Sequence, residues 1–147
     1  MSFYIKITNP NAEDIELGSQ NATEGQDTSN VTECDIQFDT IDDNVREKKS
    51  ATVVRMMIQG KIKIDTMGNV KKLFDWSREA ANDKLYRKVT IDVYMESKEA
   101  RHYEFENMFV VDYEEDIVIK DGEESHFVIK LNQRENSMNT IKSASLV

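Results

Sequence analysis

The chain has very little cysteine, proline or histidine. Among its 147 residues there are one cysteine, one proline and two histidines. Cys34 has no second cysteine with which to form an internal disulfide, which is typical of a reducing compartment. A zinc site needs Cys and His ligands at close spacing, and one cysteine with two distant histidines does not offer it. The sequence therefore predicts neither an internal disulfide nor a metal site.

Basic residues and long apolar runs are also scarce. The chain has 28 acidic and 19 basic residues, giving a net charge of -9. Nucleic-acid-binding proteins concentrate Lys and Arg to neutralise phosphates, and anionic membranes attract basic segments, so this excess of acid disfavours both partners. No apolar run approaches the length of a membrane span, and the first residues lack the features of a secretory signal. We expect synthesis in the cytoplasm, no nucleic-acid recognition and no membrane anchoring.

Catalytic signatures are missing as well. Nucleophilic catalysis needs a thiol or hydroxyl beside a base, but Cys34 lies on an apolar face of its predicted strand. His102 and His126 lie on polar strand faces, and no serine sits in a G-x-S-x-G turn. No glycine-rich loop joins a strand to a helix, as a nucleotide site would require. The sequence predicts a protein that is not an enzyme and uses no cofactor.

What the chain does contain is strand-type alternation interrupted by one helix. Alternating apolar and polar residues predict strands over 51–65, 86–96 and 101–113. Between them, apolar residues recur at three- and four-residue spacing over 69–83, which predicts one helix. In that helix we expect packing by Leu73, Phe74 and Trp76.

Shorter patterned segments flank this central part. Alternation predicts strands over 3–7, 31–41 and 126–133, and a polar loop over 11–30 that holds one short edge strand at most. The tail, 135–147, is either a final strand or a frayed end. Together these segments predict a single mainly β domain over 1–147. Its fold is a small β-barrel or two-sheet sandwich of about seven or more strands with one flanking helix.

The same alternation predicts which individual side chains face inward. Cys34 should behave as a small core residue, and methionines should fill the core rather than form a binding surface. Apolar and aromatic residues should line one side of the 101–113 strand. The residues predicted inward on these grounds are Met56, Ile64, Met95, Tyr103, Phe105, Met108, Phe109, Val111 and Tyr113.

The link over 42–50, Asp-Asp-Asn-Val-Arg-Glu-Lys-Lys-Ser, is longer than a tight hairpin requires. One interpretation is a solvated hairpin end with no further role. The other is that its mixed charges contact a partner.

Two stretches resemble a known family, Leu73-Phe74-Asp75-Trp76 and the run from Phe105 to Glu115, Phe-Glu-Asn-Met-Phe-Val-Val-Asp-Tyr-Glu-Glu. They are similar to the haemolysin-coregulated proteins (Hcp) of type VI secretion and to related phage tail-tube proteins. The resemblance covers 61–131. It implies a strand-rich barrel with one helix, built into rings, commonly of six subunits, that stack as the inner tube of a contractile injection apparatus.

The resemblance also implies partners and contact residues. The protein would bind copies of itself and components such as sheath, baseplate or spike proteins, and would become part of a virion-like or exported particle. In that family a loop after the second or third strand reaches the neighbouring ring, and the link over 42–50 matches it by position. The implied inter-ring contact residues are Asp42, Asp43, Arg46, Glu47, Lys48 and Lys49.

Two other interpretations remain. The chain could be a monomeric, acidic, β-rich binding module, such as a phage or host-interaction protein, without catalysis. It is also similar over 86–90 and 109–114 to small clostridial proteins described as protease-like, although no protease residues accompany that similarity. A particle mass separates a ring from a monomer.

Overall fold

The computed structural model describes residues 2–18, 31–40, 52–64, 66–95, 98–134 and 142–145. Within them the chain forms eight strands and two helices. The strands are β1 (Ser2–Asn9), β2 (Ala12–Gly18), β3 (Val31–Thr40), β4 (Thr52–Ile62), β5 (Arg87–Met95), β6 (Lys98–Asp116), β7 (Ser125–Gln133) and β8 (Lys142–Ser145). The helices are α1 (Met67–Ser77) and α2 (Asn82–Leu85).

All neighbouring strands pair antiparallel in the order β2-β1-β5-β6-β7-β4-β3, and β8 pairs with β6 outside this path. The 19-residue β6 belongs to both halves of the sheet. Its first part pairs with β5 on one side and, over 101–104, with β8 on the other, while its last part, 108–116, pairs with β7. One half is therefore β2-β1-β5-β6, and the other is β6-β7-β4-β3.

The strand β6 changes direction at Asn107, whose φ of 55° lies in the left-handed region that few residues other than glycine adopt. The bend is held from β7. The Gln133 side-chain amide donates to the Glu106 carbonyl at 2.9 Å, and the Arg134 backbone N–H donates to the Asn107 carbonyl at 2.9 Å. Since the pairing with β7 is also irregular between Val110 and Asp112, the two-residue alternation does not run unbroken along this strand.

This bend overturns part of the predicted inward face of β6. Phe105 and Met108 are fully buried, three positions apart instead of two or four. Phe109 packs outward, edge-on against the Tyr86 ring at 5.9 Å between centroids, and Val111 is 52% exposed. The predictions for Phe109 and Val111 were wrong because Asn107 and the irregularity after Val110 shift the alternation.

The core lies between the two halves of the sheet. Its buried residues come from both: Ile5, Ile7, Ile15, Leu17, Val89, Ile91 and Phe105 from the first half, and Val54, Met56, Ile58, Met108, Phe127, Ile129 and Leu131 from the second. Phe38 of β3 reaches Phe105 of β6 across the core, with 6.1 Å between ring centroids. The mainly β fold with a flanking helix is thus confirmed, as two packed sheet halves that share β6.

The predicted helix over 69–83 is right in kind and wrong in extent. The helix α1 begins at Met67 and ends at Ser77, and the one-turn helix α2 follows after a break at 78–81. The break returns the chain toward α1, so that Trp76 Nε1–H donates to the Leu85 carbonyl at 2.8 Å. A continuous helix through 83 could not make this contact.

Two segments contain the short strands that the sequence allowed. Within the predicted polar loop over 11–30, the one edge strand is β2, seven residues long with Ile15 and Leu17 buried, and 19–30 lie outside the described residues. In the tail, β8 is a final strand that pairs with β6, and 135–141 and 146–147 are not described. The strand β2 ends at Gly18, φ 84°, where an added Cβ would lie 1.8 Å from the Phe3 carbonyl oxygen.

Three further side chains depart from their predicted burial. Ile64 is 93% exposed because β4 ends at Ile62, and Met95 is 46% exposed at the end of β5. Cys34 is half-buried against the core, since it lies on the last strand of the sheet. Among the described helices, none is long and apolar enough to cross a membrane.

Candidate assembly surfaces

The helix α1 is fixed to the sheet by a buried tryptophan. Val70, Leu73 and Trp76 are its buried residues, spaced by three along one face. The guanidinium of Arg87, the first residue of β5, lies 5.2 Å from the centre of the Trp76 ring. Arg87 is only 6% exposed and its Nε–H donates to the Lys84 carbonyl at 3.0 Å, so that burial lowers the pKa of this guanidinium.

Phe74 points away from this buried face. Its side chain is 40% exposed, its ring stands edge-on to Tyr113 at 6.2 Å, and the Arg78 guanidinium lies 5.6 Å from its centre. Of the three residues expected to pack the helix, Leu73 and Trp76 are therefore buried, and Phe74 lies at the side of the helix beside β6.

The outer edge of β2 is covered by α1. The backbone N–H of Glu16 donates to the Asn69 side-chain oxygen at 3.1 Å, and the Lys72 ammonium donates to the Asp14 carbonyl at 3.1 Å. Lys72 also forms an ion pair with Glu13 at 3.5 Å. Two side chains of α1 thus occupy the backbone groups that an edge strand would otherwise offer to another chain.

The strand β3 forms the opposite edge. It pairs with β4 on one side, and no strand within the described ranges pairs with its other side. Its outward side chains Glu33, Asp35 and Gln37 are exposed, and Phe38 is 52% exposed although its ring contacts Phe105. Burial raises the pKa of Cys34 on this strand to about 12, so its thiol is protonated and unreactive at neutral pH.

An apolar groove of about 440 Å³ runs between α1 and the ends of β4 and β6. Its floor and walls include Ile62, Val70 and Phe74, and Met67 and Ile117 are more than half exposed beside them. The charged residues of the groove are Lys71, Asp75 and Glu115. The Lys71 ammonium pairs with Asp75 at 3.0 Å, and Glu115 accepts a hydrogen bond from the Tyr113 hydroxyl at 2.5 Å.

The end of β6 and the turn that joins it to β7 border this groove and are acidic. Together, residues 114–124 contain six acidic residues and one basic residue, Lys120. Ile119 is 96% exposed within the turn, which is fixed by a hydrogen bond from the Val118 backbone N–H to the Ser125 hydroxyl at 2.9 Å. Met67 and Ile117 at the groove and Ile119 in the turn therefore give this part of the surface three exposed apolar side chains.

The outer face of β5 and β6 is polar instead. Lys88 pairs with Glu104 at 3.3 Å and with Glu106 at 3.5 Å, and the hydrogen bond to Glu104 raises the pKa of this lysine. His102 bonds Asp92 through Nδ1 and lies 3.8 Å from Glu104 through Nε2. No group of three or more His, Cys, Asp and Glu in the described part of the chain is placed to hold a metal ion.

The predicted inter-ring residues cannot be placed. Asp42, Asp43, Arg46, Glu47, Lys48 and Lys49 all lie outside the described residues. The flanking residues Thr40 and Thr52 are register partners, so both ends of the link leave the sheet at the same point.

Sequence reasoning missed the residues that cover the β2 edge. Both Thr66 and Asn69 are residue types that cap helices, and Thr66 takes the N-cap position of α1, where its hydroxyl bonds back to the Lys63 backbone. The Asn69 side-chain oxygen instead accepts the hydrogen bond from the Glu16 backbone N–H. The one available signal was Lys72 beside Lys71 in the first turns of the helix, an unfavourable sign for the helix dipole that indicates another role.

Comparison by sequence gives no relative: no protein-family model and no curated protein matches the chain. Comparison by structure does find similar proteins. Hcp1 from E. coli EAEC 042 aligns over 100% of both chains with a TM-score of 0.58 and 13% identity. Hcp1 from Flavobacterium johnsoniae aligns over 97% of this chain and 95% of its own, with a TM-score of 0.55 and 12% identity.

A chain of the PVC sheath-tube complex of an extracellular contractile injection system, in the extended state, is also similar. It aligns over 98% of this chain and 88% of its own, with a TM-score of 0.54 and 14% identity. At these identities the likeness concerns the fold and not the partners. The chain has the Hcp-like tail-tube fold.

Proposed function

We propose that this protein is a structural subunit that self-assembles into rings, and that the rings stack as the inner tube of a phage-tail-like or type VI-like contractile injection apparatus. The rings are commonly of six copies in the family it resembles, and six is the number we propose here. The subunit is not an enzyme. It is made in the cytoplasm and becomes part of a virion-like or exported particle, where its further partners are sheath, baseplate or spike proteins.

The observation that supports this proposal most is the difference between the two edges of the sheet. Side chains of α1 occupy the backbone groups of β2, whereas the ten-residue β3 ends the sheet with no described strand beside it. An uncovered strand of this length pairs readily with another chain, and a ring forms when β3 of each copy meets a different surface of the next copy. The uncovered β3 therefore favours a subunit that associates with other copies.

The exposed apolar surface supports self-assembly as well. Met67 and Ile117 line one groove and are more than half exposed, and Ile119 in the turn after Ile117 is 96% exposed. A monomeric binding module with an acidic surface would explain the charge, but it would leave this apolar surface in water without a purpose. Contacts between copies would cover the apolar side chains and leave the acidic residues in water.

Particle mass tests the proposal directly. Size-exclusion chromatography with light scattering on the pure protein should give a species several times heavier than the 17.0 kDa chain, and negative-stain micrographs should show rings. A single species at the mass of one chain, over the whole accessible concentration range, would overturn the proposal.

Proline substitutions on β3 test the mode of assembly. Successive backbone N–H groups of a strand point to opposite sides, so Cys34→Pro and Asp35→Pro remove groups that face opposite ways. The variant that loses the outward-facing N–H keeps its pairing with β4. We expect it to fold, as judged by circular dichroism, and to remain a monomer.

The matched control is Glu16→Pro on β2. It removes an outward-facing N–H that is bonded to Asn69 and is therefore not offered to another subunit. Because it also removes the carboxylate that Tyr4 binds, its folding is checked by circular dichroism as well. We expect this variant to assemble like the unmodified chain. Rings formed by the folded β3 variant, or lost in the β2 variant alone, would contradict pairing through β3.

A further inference from the structure

The polar outer face of β5 and β6 places one imidazole between two carboxylates. His102 lies directly opposite Asp92 of β5, and its Nδ1 is hydrogen-bonded to the Asp92 carboxylate. On the other side of the ring, Nε2 lies 3.8 Å from Oε1 of Glu104, two residues along β6. The three side chains are partly covered, with 31% of His102, 18% of Asp92 and 24% of Glu104 exposed. Charges at such positions are screened less by water and salt than charges on an open surface.

The bond to Asp92 decides which nitrogen carries the hydrogen when the imidazole is neutral. An ionised carboxylate only accepts hydrogen bonds, so the hydrogen of a neutral His102 is on Nδ1. Nε2 is then an acceptor too, and it faces the Glu104 carboxylate, which has no hydrogen to donate. In the imidazolium, both nitrogens carry a hydrogen and each faces a carboxylate. The neutral ring therefore suits one of its two neighbours, and the protonated ring suits both.

The surrounding strands contribute further charged and titratable groups. Besides the three residues above, those on the same face are Tyr4 and Lys6 of β1, Asp14 and Glu16 of β2, Lys88 and Tyr94 of β5, and Glu106 of β6. In the register, Glu99 of β6 is level with Tyr94, and Lys142 of β8 is level with Glu104. Tyrosine, lysine and carboxylate side chains ordinarily keep the same charge between about pH 5.5 and pH 8, whereas histidine changes its charge there. Of the side chains on this face, His102 is therefore the one that responds to that range of pH.

We propose that His102 is a pH-sensitive bridge between β5 and β6, which joins Asp92 to Glu104 when the imidazole takes up a proton in mild acid. Protonation replaces an acceptor that faces an acceptor with an ion pair, so the folded chain holds this proton more tightly than the unfolded chain does. The stabilisation is fully present below about pH 6.5, the ordinary pKa of an unfolded histidine, and is lost at higher pH. The inference concerns the stability of the subunit and does not depend on the proposed assembly.

The unfolding equilibrium at two pH values tests the bridge. Urea unfolding of the full chain, followed by circular dichroism at one protein concentration, is measured at about pH 8 and about pH 5.5. We expect the unfolding equilibrium constant of the unmodified chain to be about fivefold to tenfold smaller at the lower pH. His102→Gln keeps a donor for Asp92 and has no charge at either pH, so this decrease should disappear. The amino terminus also titrates near pH 8, and it is the same in every variant.

The matched control is the other of the two histidines in the chain, His126 on β7. Its Nε2 lies 3.9 Å from Glu124, and 39% of its side chain is exposed. His126→Gln should keep the decrease that His102→Gln loses. A decrease that persists in the His102 variant, or that is absent from the unmodified chain, would overturn the bridge.

A pair of glutamates separates the bridge from the general effect of charge on this face. Glu104 and Glu106 both pair with Lys88, at 3.3 and 3.5 Å, but Nε2 of His102 faces Glu104. Glu104→Gln supplies an amide N–H to the neutral imidazole, so its decrease on acidification should be smaller than that of Glu106→Gln. Equal decreases would overturn the role of Glu104. An unmodified chain that stays at the mass of one copy would overturn the proposed function and leave this test unaffected, because unfolding is measured on whichever species the chain forms.

Discussion

The two edges of the sheet, β2 and β3, have the same chemistry and different surroundings. Both are alternating strands of seven and ten residues, with inward apolar side chains and outward charged ones. At β2, Asn69 and Lys72 of α1 bind the Glu16 N–H and the Asp14 carbonyl. At β3, no strand within the described residues pairs with the outer side.

This difference gives the single long helix a clear role. Its buried face contributes Val70, Leu73 and Trp76 to the core, but its first turns lie along β2 and protect that edge. A protein that protects one edge and not the other directs strand pairing with other chains to the unprotected edge. The three predictions that follow loosen the protected side, in order of decreasing effect.

Replacing Trp76 should have the largest effect. The ring is 1% exposed, it lies beneath the Arg87 guanidinium, and its Nε1–H binds the Leu85 carbonyl. Trp76→Ala leaves a cavity and removes the anchor of α1, so we expect the free energy of unfolding to fall by about 3–5 kcal/mol. Urea unfolding followed by circular dichroism measures the change.

Trp76→Phe is the matched control, because it keeps most of the ring and loses only the Nε1–H donor. It should cost about 1–2 kcal/mol, the range for a buried carbonyl left without its donor and a slightly smaller ring. Equal losses for the alanine and phenylalanine variants would show that the hydrogen bond, and not the buried ring, holds the helix.

High pH should loosen the same side by a smaller amount. The Tyr4 hydroxyl on β1 donates to the Glu16 carboxylate on β2 at 2.8 Å, and burial together with this bond raises the pKa of Tyr4 from 10.0 to about 12. Because the folded pKa is the higher one, the stabilisation is fully present below pH 10. It is lost as pH rises from 10 to 12, and we expect the loss to be about 2–3 kcal/mol.

The comparison of the chain with its Tyr4→Phe variant isolates this contribution from the other tyrosines. Urea unfolding at several values between pH 9 and pH 12 should show a steeper fall in stability for the unmodified chain. Parallel curves for the two proteins would mean that Tyr4 does not titrate in this range.

Much of the fold follows from the period of the apolar residues. Strict alternation located β4, β5 and β7, because their inward residues meet a continuous core and must all be apolar. The three- and four-residue spacing located α1 for the same reason. The one short edge strand expected within 11–30 is β2, where Ile15 and Leu17 lie at strand spacing and are buried.

The remaining features depend on contacts distant in sequence. The bend at Asn107 is held by hydrogen bonds from Gln133 to the Glu106 carbonyl and from Arg134 to the Asn107 carbonyl, and no local sequence pattern predicts them. The end of α1 depends on the position of Leu85 against Trp76. The two edges differ because the Asn69 side chain accepts a hydrogen bond from Glu16, 53 residues away. In the sequence, an asparagine near the start of a helix looks the same whether it caps its own helix or binds a neighbouring strand.

Loss of the hydrogen bond between Asn69 and Glu16 should have the smallest effect on stability of the three. Asn69→Ala should reduce the free energy of unfolding by about 0.5–1.5 kcal/mol, because water replaces the lost acceptor at a partly exposed N–H. Asn82→Ala, an exposed asparagine at the start of α2, is the matched control and should change stability by less.

A double variant tests whether Asn69 and Lys72 together protect the β2 edge. Asn69→Ala combined with Lys72→Ala should form irregular aggregates in micrographs at concentrations where the Asn82→Ala variant forms only regular particles. Regular particles from the double variant would show that β2 is kept from pairing by something other than these two side chains.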